Sequence, residues 1–294
     1  MSYVILDLEW NGSYSKSAHK FVNEIIEFGA LKLDEELNII DSFSALVSPK
    51  IGKRMNTRVK ALTKISFEEL KKSGVSFQKA SESFSEFLAG DVLMTWGTSD
   101  LFTLMENYNF YTGDYHIPFL NRYCDLQVFC EKAMGIYDEG NQIGLGACAE
   151  RLGIEFSEDE QHRADADAYL SLACLKRCIG DYPLESCVLD AETESFYERL
   201  TFKNRFITSL SDPAVNKNEL HFCCDKCGAP AKRMKKWKMH NKHFTSEFYC
   251  KNCRRKFIGR IAFKQKYDTV VVSKRILEMP EKVKKSIEPK PADT

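Results

Sequence analysis

The first half of the chain alternates between short apolar runs and polar breaks, in a pattern that predicts an α/β fold. Residues 3–9, 23–33 and 39–47 are rich in β-branched and other apolar side chains, and their close spacing predicts an antiparallel meander of three strands. Apolar runs near residues 92–96 and 122–126 each precede a segment with helical periodicity. We therefore expect two later parallel strands in the same sheet, with helices on both of its faces.

The second half of the chain contains two Cys-x2-Cys pairs, Cys224 with Cys227 and Cys250 with Cys253. Each pair presents two thiolates to one ion, and four thiolates complete the tetrahedral shell of a structural zinc site. The spacing therefore predicts a small β zinc ribbon with one Zn²⁺. Because such a unit buries little apolar surface, we expect the ion to supply much of its folding free energy.

Several side chains close to these pairs leave alternatives open. Cys223 is adjacent to Cys224 and could replace it as a ligand, whereas His221, His240 and His243 are weaker candidates that are more typical of surface positions. Six further cysteines lie among apolar residues without paired spacing, and we expect them to be reduced and buried. They are Cys124, Cys130, Cys148, Cys174, Cys178 and Cys187.

These patterns divide the chain into four predicted segments. Residues 1–182 form the α/β domain, residues 183–217 a helical linker with few helix breakers, and residues 218–270 the ribbon. Residues 271–294 end in a Pro-, Lys- and Glu-rich stretch and are expected to be a disordered tail. No run of about 20 apolar residues is present and the first strand begins at once, so we expect a cytoplasmic protein without a membrane partner.

Charge is distributed unevenly, although the formal net charge of the chain is zero. Residues 1–180 carry 18 basic and 27 acidic side chains, whereas residues 181–294 carry 24 and 15. Within the ribbon, residues 223–266 carry 14 basic and 2 acidic side chains, so we expect this module to bind a polyanion. Aromatic side chains between the basic ones are candidates for stacking on bases, although some must form the ribbon core. These are Trp237, Phe244, Phe248, Tyr249 and Phe257.

Two acidic side chains at the end of the first predicted strand are the first candidates for chemistry. Asp7 and Glu9 are two residues apart, so on a strand both point to the same side. Two carboxylates on one side of a buried strand repel each other and lose hydration, unless a cation joins them. A strand end that faces water is the alternative for this pair when it is considered alone.

Three later residues complete the candidate set. Asp100 follows a predicted strand at the start of a predicted helix, where α/β enzymes place site residues, although helix capping would also explain it. His162 and Asp167 are five residues apart, and five helical steps turn about 500°, so they cannot share one helix face. The spacing fits if His162 lies in the preceding loop and Asp167 in the first helical turn, with Asp165 as a rival ligand.

Four carboxylates and one histidine are the parts of a two-metal phosphodiesterase site. Carboxylate-rich oxygen ligation suits Mg²⁺ or Mn²⁺ rather than Zn²⁺. Two such ions about 3.5–4 Å apart stabilise the attacking and the leaving oxygen of an in-line displacement. A neutral histidine beside them can take the proton of the attacking water, because its pKa lies near the working pH.

In this order the five residues resemble the motifs of DEDDh-type 3′–5′ exonucleases, in the DnaQ-like, ribonuclease H-like superfamily. Asp7 and Glu9 match the first motif, Asp100 the second, and His162 with Asp167 the third. The similarity extends over roughly the first 180 residues and is greatest to the ERI exoribonuclease branch and the KapD group. It implies a ribonuclease H-like mixed sheet. It also implies that Asp7, Glu9 and Asp167 hold two ions, that Asp100 completes the second site directly or through water, and that His162 is the general base.

The resemblance also implies 3′–5′ polarity, nucleoside 5′-monophosphate products and, from the nearest branch alone, single-stranded RNA 3′ ends as the substrate. Two positions depart from the family pattern, because Trp10 follows Glu9 and Ala166 precedes Asp167. Both departures leave the metal ligands unchanged. The alternatives are a DNA-directed exonuclease and a nucleic-acid-binding adaptor with an inactive nuclease half, in which the ribbon could bind a protein instead.

Overall fold

The computed structural model describes residues 2–137, 142–156 and 164–279, which divide into two compact units with the boundary between Thr201 and Phe202. The first unit contains a six-stranded sheet of order β3-β2-β1-β4-β5-β6. Its strands are β1 (Tyr3–Ser15), β2 (Lys20–Leu33), β3 (Ile39–Leu46), β4 (Val92–Thr95), β5 (Arg122–Asp125) and β6 (Val188–Asp190). Strands β1 to β3 pair antiparallel, β4 and β5 run parallel to β1, and β6 is an antiparallel edge. This mixed sheet confirms the predicted fold class.

Helices cover both faces of the sheet. They are α1 (Thr57–Thr63), α2 (Phe67–Ser73), α3 (Phe77–Leu88), α4 (Ser99–Thr112), α5 (Leu126–Ala133), α6 (Leu145–Arg151), α7 (Ala164–Cys178) and α8 (Glu194–Thr201). Neighbouring residues on the central strands point alternately into two buried clusters, so Val4 and Leu93 pack with α3 and α4, whereas Ile5 and Met94 pack with α5 and α7. The six scattered cysteines are free and buried in this unit, as expected. No helix among the described residues is long and apolar enough to cross a bilayer.

A one-residue bulge interrupts the pairing of β1 with β2. Glu9 lies opposite Glu27, but Trp10 lies opposite Ile25, so Ile26 is the extra residue. The bulged side chain is fully buried against Ile65 and Leu70, below α1 and α2. Bulges increase the local twist and redirect neighbouring side chains, and this one lies beside two acidic residues.

The second unit is built on another antiparallel sheet. Its strands are β7 (Arg205–Phe206), β8 (Lys232–Arg233), β9 (Lys238–His240), β10 (His243–Cys250), β11 (Arg255–Gln265) and β12 (Val270–Glu278). The order is β12-β11-β10-β8, while β7 pairs with β11 and β9 pairs with β10. Phe244, Phe248, Phe257 and Phe263 fill a core on one face of this sheet, below Val215 and other residues that precede the cysteine pairs.

The expected helical linker over residues 183–217 is divided between the two units. Its only α-helix is α8, which buries Phe196 and Tyr197 in the first core. Residues of β6 complete the first sheet, and Arg205 with Phe206 pairs with β11 in the second. Propensity indicated a continuous helix, but the apolar side chains are used for tertiary packing instead.

The prediction of a disordered tail from residue 271 is wrong up to Met279. Val270, Val272 and Ile276 alternate along β12 and pack onto the second core, while the strand pairs with β11 over its whole length. The charged residues between them concealed this two-residue period. The rest of the expected tail, residues 280–294, lies outside the described residues.

Candidate active site

Three carboxylates from two elements meet on one face of the first sheet. Asp7 and Glu9 continue the row of Tyr3 and Ile5 on β1, which is the face that packs against α7. Asp167 lies in the first turn of α7. One ligand oxygen from each of these three acids lies within 4.8 Å of the other two, which is close enough for a shared cation.

The fourth predicted acid, Asp100, is buried beside this group in the first turn of α4. Its Oδ1 accepts a hydrogen bond of 3.0 Å from the backbone N–H of Leu8, between the two acids of β1. The turn before α4 is fixed as well, since Gly97 has a φ of +73° and its carbonyl accepts a bond of 2.9 Å from the Tyr123 hydroxyl. Asp100 therefore contacts the strand that carries Asp7 and Glu9 directly, which helix capping alone does not explain.

The third motif is described only in part. Helix α7 begins at Ala164, so the predicted placement of Asp167 in the first turn is confirmed. His162 lies in residues 157–163, outside the described part of the chain, and so does the side chain of the rival ligand Asp165.

Glu27 is a neighbour of the site that the motifs did not reveal. It is 2% exposed, lies opposite Glu9 in the β1–β2 ladder, and accepts a hydrogen bond of 3.4 Å from the backbone N–H of Ala164. It thus links β2 to the first residue of the helix that carries Asp167. In the sequence, Glu27 is visible only as an acidic residue inside the apolar run of β2. Glu24 shows the same pattern but has another role, because it accepts hydrogen bonds from the backbone N–H groups of residues 50–52. The pattern alone therefore does not identify a site residue.

A basic segment is fixed to the strand that carries Asp7. Residues 50–64 contain six basic and no acidic side chains. Asn11, which is 1% exposed, accepts a bond of 2.8 Å from the N–H of Asn56 and donates one of 3.2 Å to the carbonyl of Arg54. Asn11, two residues after Glu9, therefore holds a positively charged segment against β1, and the charge run of this segment was visible in the sequence.

The electrostatics of the acidic group favour a bound cation. Burial raises the pKa of Asp7 well above its usual range, and Asp100, Asp167, Glu9 and Glu27 raise it further. Burial also raises the pKa of Asp100 to about 7, although the Leu8 N–H opposes the shift. Hard divalent ions such as Mg²⁺ or Mn²⁺ would offset this repulsion through oxygen ligands, so the donor set fits such ions.

We expect Asp7→Asn to raise the thermal unfolding midpoint of the protein freed of Mg²⁺ and Mn²⁺ at pH 7. A raised native pKa means that Asp7 destabilises the folded state as pH rises from about 4, the unfolded value, through the native pKa. The gain should therefore shrink as pH falls towards about 4 and disappear below about pH 3, where the carboxyl is protonated in both states. Thermal melts across this pH range measure the effect.

The control is Asp34→Asn. Asp34 lies outside the acidic group, in the turn after β2, and hydrogen bonds from Asn38 lower its pKa, so its neutralisation should not raise the midpoint at pH 7. A lower midpoint for Asp7→Asn than for the wild type would contradict the electrostatic account of the acidic group.

A second candidate metal centre lies in the C-terminal unit. The Sγ atoms of Cys224, Cys227, Cys250 and Cys253 all lie within 4.8 Å of one another, and Cys223 does not belong to this group. The distances are 3.9 Å from Cys224 to Cys253 and 3.6 Å from Cys227 to Cys250. Backbone N–H groups lower the pKa of the Cys224 thiol to about 7, which favours the thiolate that zinc requires.

We expect one zinc per chain at these four cysteines, retained when Mg²⁺ and Mn²⁺ are dialysed away. Cys224→Ser should lose the zinc and lower the stability of the second unit, because the ion supplies part of its folding free energy. Cys223→Ser is the matched control and should keep full zinc content by elemental analysis. Zinc loss from both variants, or from neither, would contradict the ligand assignment.

The comparisons with known proteins agree with this geometry. A family model described as "Exonuclease" matches residues 4–175, and the chain belongs to this family. A curated relative, the probable 3′-5′ exonuclease KapD of Bacillus subtilis, is 28% identical over 181 residues, covering 60% of this chain and 83% of its own. The protein is thus a hydrolase of phosphodiester bonds, of the 3′–5′ exonuclease class that the motifs predicted.

Solved structures support the fold. The nuclease domain of 3′hExo, a DEDDh family member, matches with a TM-score of 0.50 at 20% identity, covering 61% of this chain and 92% of that one. Cell-death related nuclease 4 matches with a TM-score of 0.51 at 18% identity, covering 60% and 63%. At these identities the likeness confirms the ribonuclease H-like sheet and helices.

Proposed function

We propose that this chain is a metal-dependent 3′–5′ exonuclease that shortens RNA from its 3′ end by a two-metal mechanism and releases nucleoside 5′-monophosphates. The observation that carries the proposal is the convergence of Asp7, Glu9 and Asp167, with Asp100 beside them. Without cations, a cluster of like charges of this kind destabilises the fold through mutual repulsion. With two divalent cations, the same cluster can support hydrolysis of a phosphodiester bond.

Each acid has a role that follows from its position. Asp7, Glu9 and Asp167 would hold the ions, and Asp7, on the central strand, is placed to contact both. One oxygen of Asp100 accepts the bond from the Leu8 N–H, and the other would complete the second metal site directly or through water. When bound, two divalent ions polarise the scissile phosphate and stabilise the attacking and leaving oxygens. The basic segment 50–64 would neutralise phosphates of the strand being cut.

The polarity and the substrate class have different support. The 3′–5′ polarity agrees with the name of the KapD relative. The preference for RNA follows the ERI branch that the motifs resemble, and the 3′hExo nuclease domain was solved with rAMP bound. A DNA-directed exonuclease is the alternative. A nuclease half without activity is disfavoured by the intact set of four acids.

Digestion of 5′-end-labelled oligonucleotides tests the proposal. RNA and DNA of the same sequence are incubated with Mg²⁺ or Mn²⁺, and Asp7→Asn serves as the inactive control. We expect a ladder that shortens from the 3′ end, faster on RNA, with nucleoside 5′-monophosphates identified by chromatography. Faster digestion of DNA would favour the alternative substrate, and internal cuts or no metal-dependent cleavage would sink the proposal.

We expect His162→Ala to lower kcat by roughly 10²–10⁴ with little change in KM, because a general base acts in the chemical step. The acidic limb of the pH–rate profile should change as well, since it reports the protonation of the base. His116→Ala is the control, because His116 is an exposed histidine of the same unit that contacts Asp114 and Glu194. An unchanged rate and profile for His162→Ala would mean that this residue is not the base.

A further inference from the structure

Strand register in the second unit separates two faces of its sheet. On β10 and β11, Phe248 and Phe257 are paired and point into the core, whereas their neighbours Tyr249 and Lys256 are paired and point outward. Of the aromatic residues considered for base stacking, Trp237, Phe244, Phe248 and Phe257 belong to the core, and Tyr249 alone points outward. Four of the five stacking candidates thus belong to the ribbon core, where some of them were expected, and a binding role must rest mainly on charge.

The outward face carries basic side chains in rows that cross the strands. Lys238 of β9 pairs with Thr245 of β10, which pairs with Arg260 of β11, which pairs with Arg275 of β12. Because paired residues share a face, three of the four positions in this row are basic. With strands about 4.8 Å apart, the row is roughly 14 Å long.

A parallel row lies nearer the cysteines. There, Lys232 of β8 pairs with Tyr249, and Tyr249 pairs with Lys256. We call the side chains of these two rows the basic face; it consists of Lys232, Lys238, Thr245, Tyr249, Lys256, Arg260 and Arg275.

The charges of the basic face are not balanced by acidic partners, whereas some basic side chains elsewhere in the unit have such partners. On the covered side and at the sheet edge, Arg255 pairs with Asp225 and Glu278, and Lys274 pairs with Glu219. Within the described residues, no basic side chain of the basic face has an acidic partner within 4 Å. Glu247 is the acid of β10 that points to this side, and Lys235 pairs with it.

We propose that the basic face binds the phosphodiester backbone of a single-stranded nucleic acid without reading its sequence. The inference rests on the proposed function, which supplies a polyanionic substrate to a chain whose first half is net negative. Arg260 contacts the ring of His243 at 3.0 Å, but like the other basic groups of this face it has no acidic partner among the described residues. Lysine and arginine groups without acidic partners gain by neutralising phosphates and releasing counterions. Tyr249, between Lys232 and Lys256, adds one ring on which a base can stack.

Fluorescence anisotropy on the full-length chain tests the inference. Every protein carries Asp7→Asn to suppress cleavage, and the probe is RNA or DNA of about 20 nucleotides, longer than the roughly 4–16 that one small binding domain occupies. The face variant is Lys238→Gln, Arg260→Gln and Arg275→Gln together. The matched control removes the same charge from three exposed lysines outside the basic face, with Lys217→Gln, Lys226→Gln and Lys251→Gln.

We expect the face variant to bind more weakly and with a shallower salt dependence. Loss of three phosphate contacts should reduce the slope of log Kd against log salt by about 2, which corresponds to roughly 10²-fold in Kd at 0.1 M salt. The control should stay close to the parent protein. Equal effects in the two triple variants, or no effect in either, would overturn the inference. Comparison of the RNA and DNA arms shows which strand the face accepts.

Two further measurements separate misfolding and failure of the proposed function from failure of this inference. The first is the binding of two single variants, Lys238→Gln and Arg275→Gln, which change exposed residues and are therefore expected to fold. Each should lower the slope of log Kd against log salt by about 0.7. If the triple variant misfolds, these single variants still test the inference. Separately, the wild-type chain is assayed with Mn²⁺ on a p-nitrophenyl ester of a nucleoside 5′-phosphate. Failure to hydrolyse this small ester would count against the exonuclease chemistry, while the anisotropy data still decide the role of the face.

Discussion

Repulsion between carboxylates at the centre of the first sheet is the constraint on which the exonuclease unit depends. Asp7 lies on a strand that is hydrogen-bonded on both sides and flanked by two buried apolar clusters. Free carboxylates would move apart, but here packed helices hold Asp100 and Asp167 close to it. The fold therefore holds the carboxylates in a fixed arrangement, and protons or cations must neutralise their negative charge. Divalent cations do so while the carboxylate oxygens stay in place.

Backbone and side-chain groups of β1 and β2 set the positions of the other elements at the site. The N–H of Leu8 fixes the Asp100 carboxylate, and Glu27 on β2 receives the first N–H of α7. Asn11, on the same strand as Asp7, holds the basic 50–64 segment. The acids of the site and the basic segment are thus positioned by contacts to β1 or to its partner strand β2. The bulge at Ile26 interrupts the pairing of these two strands, where the acids meet.

In the second unit the charged groups of interest are basic and lie on the surface, in contrast to the clustered acids of the first unit. Arg255 and Lys274, on the covered side and at the edge, have acidic partners, whereas the basic side chains of the basic face lack them within the described residues. Ion pairs at a surface contribute little to stability, so unpaired basic groups cost little to keep. They raise the local potential for a polyanion, and the proposed zinc site would help a unit of this size to fold and present this face.

Features that depend on short-range spacing could be predicted from the amino-acid sequence. The two-residue period of a strand placed Asp7 with Glu9, the start of α7 placed Asp167, and the paired spacing of Cys224 to Cys253 indicated one tetrahedral site. The ordered motifs also predicted the family and the mixed sheet. Tertiary structure alone decided that Asp100 contacts Leu8, that Glu27 joins the acids, that β12 extends the second sheet, and which aromatic side chains are buried. These features depend on pairing between residues far apart in the chain, and local propensity and spacing carry no information about which distant strand or helix will be the partner.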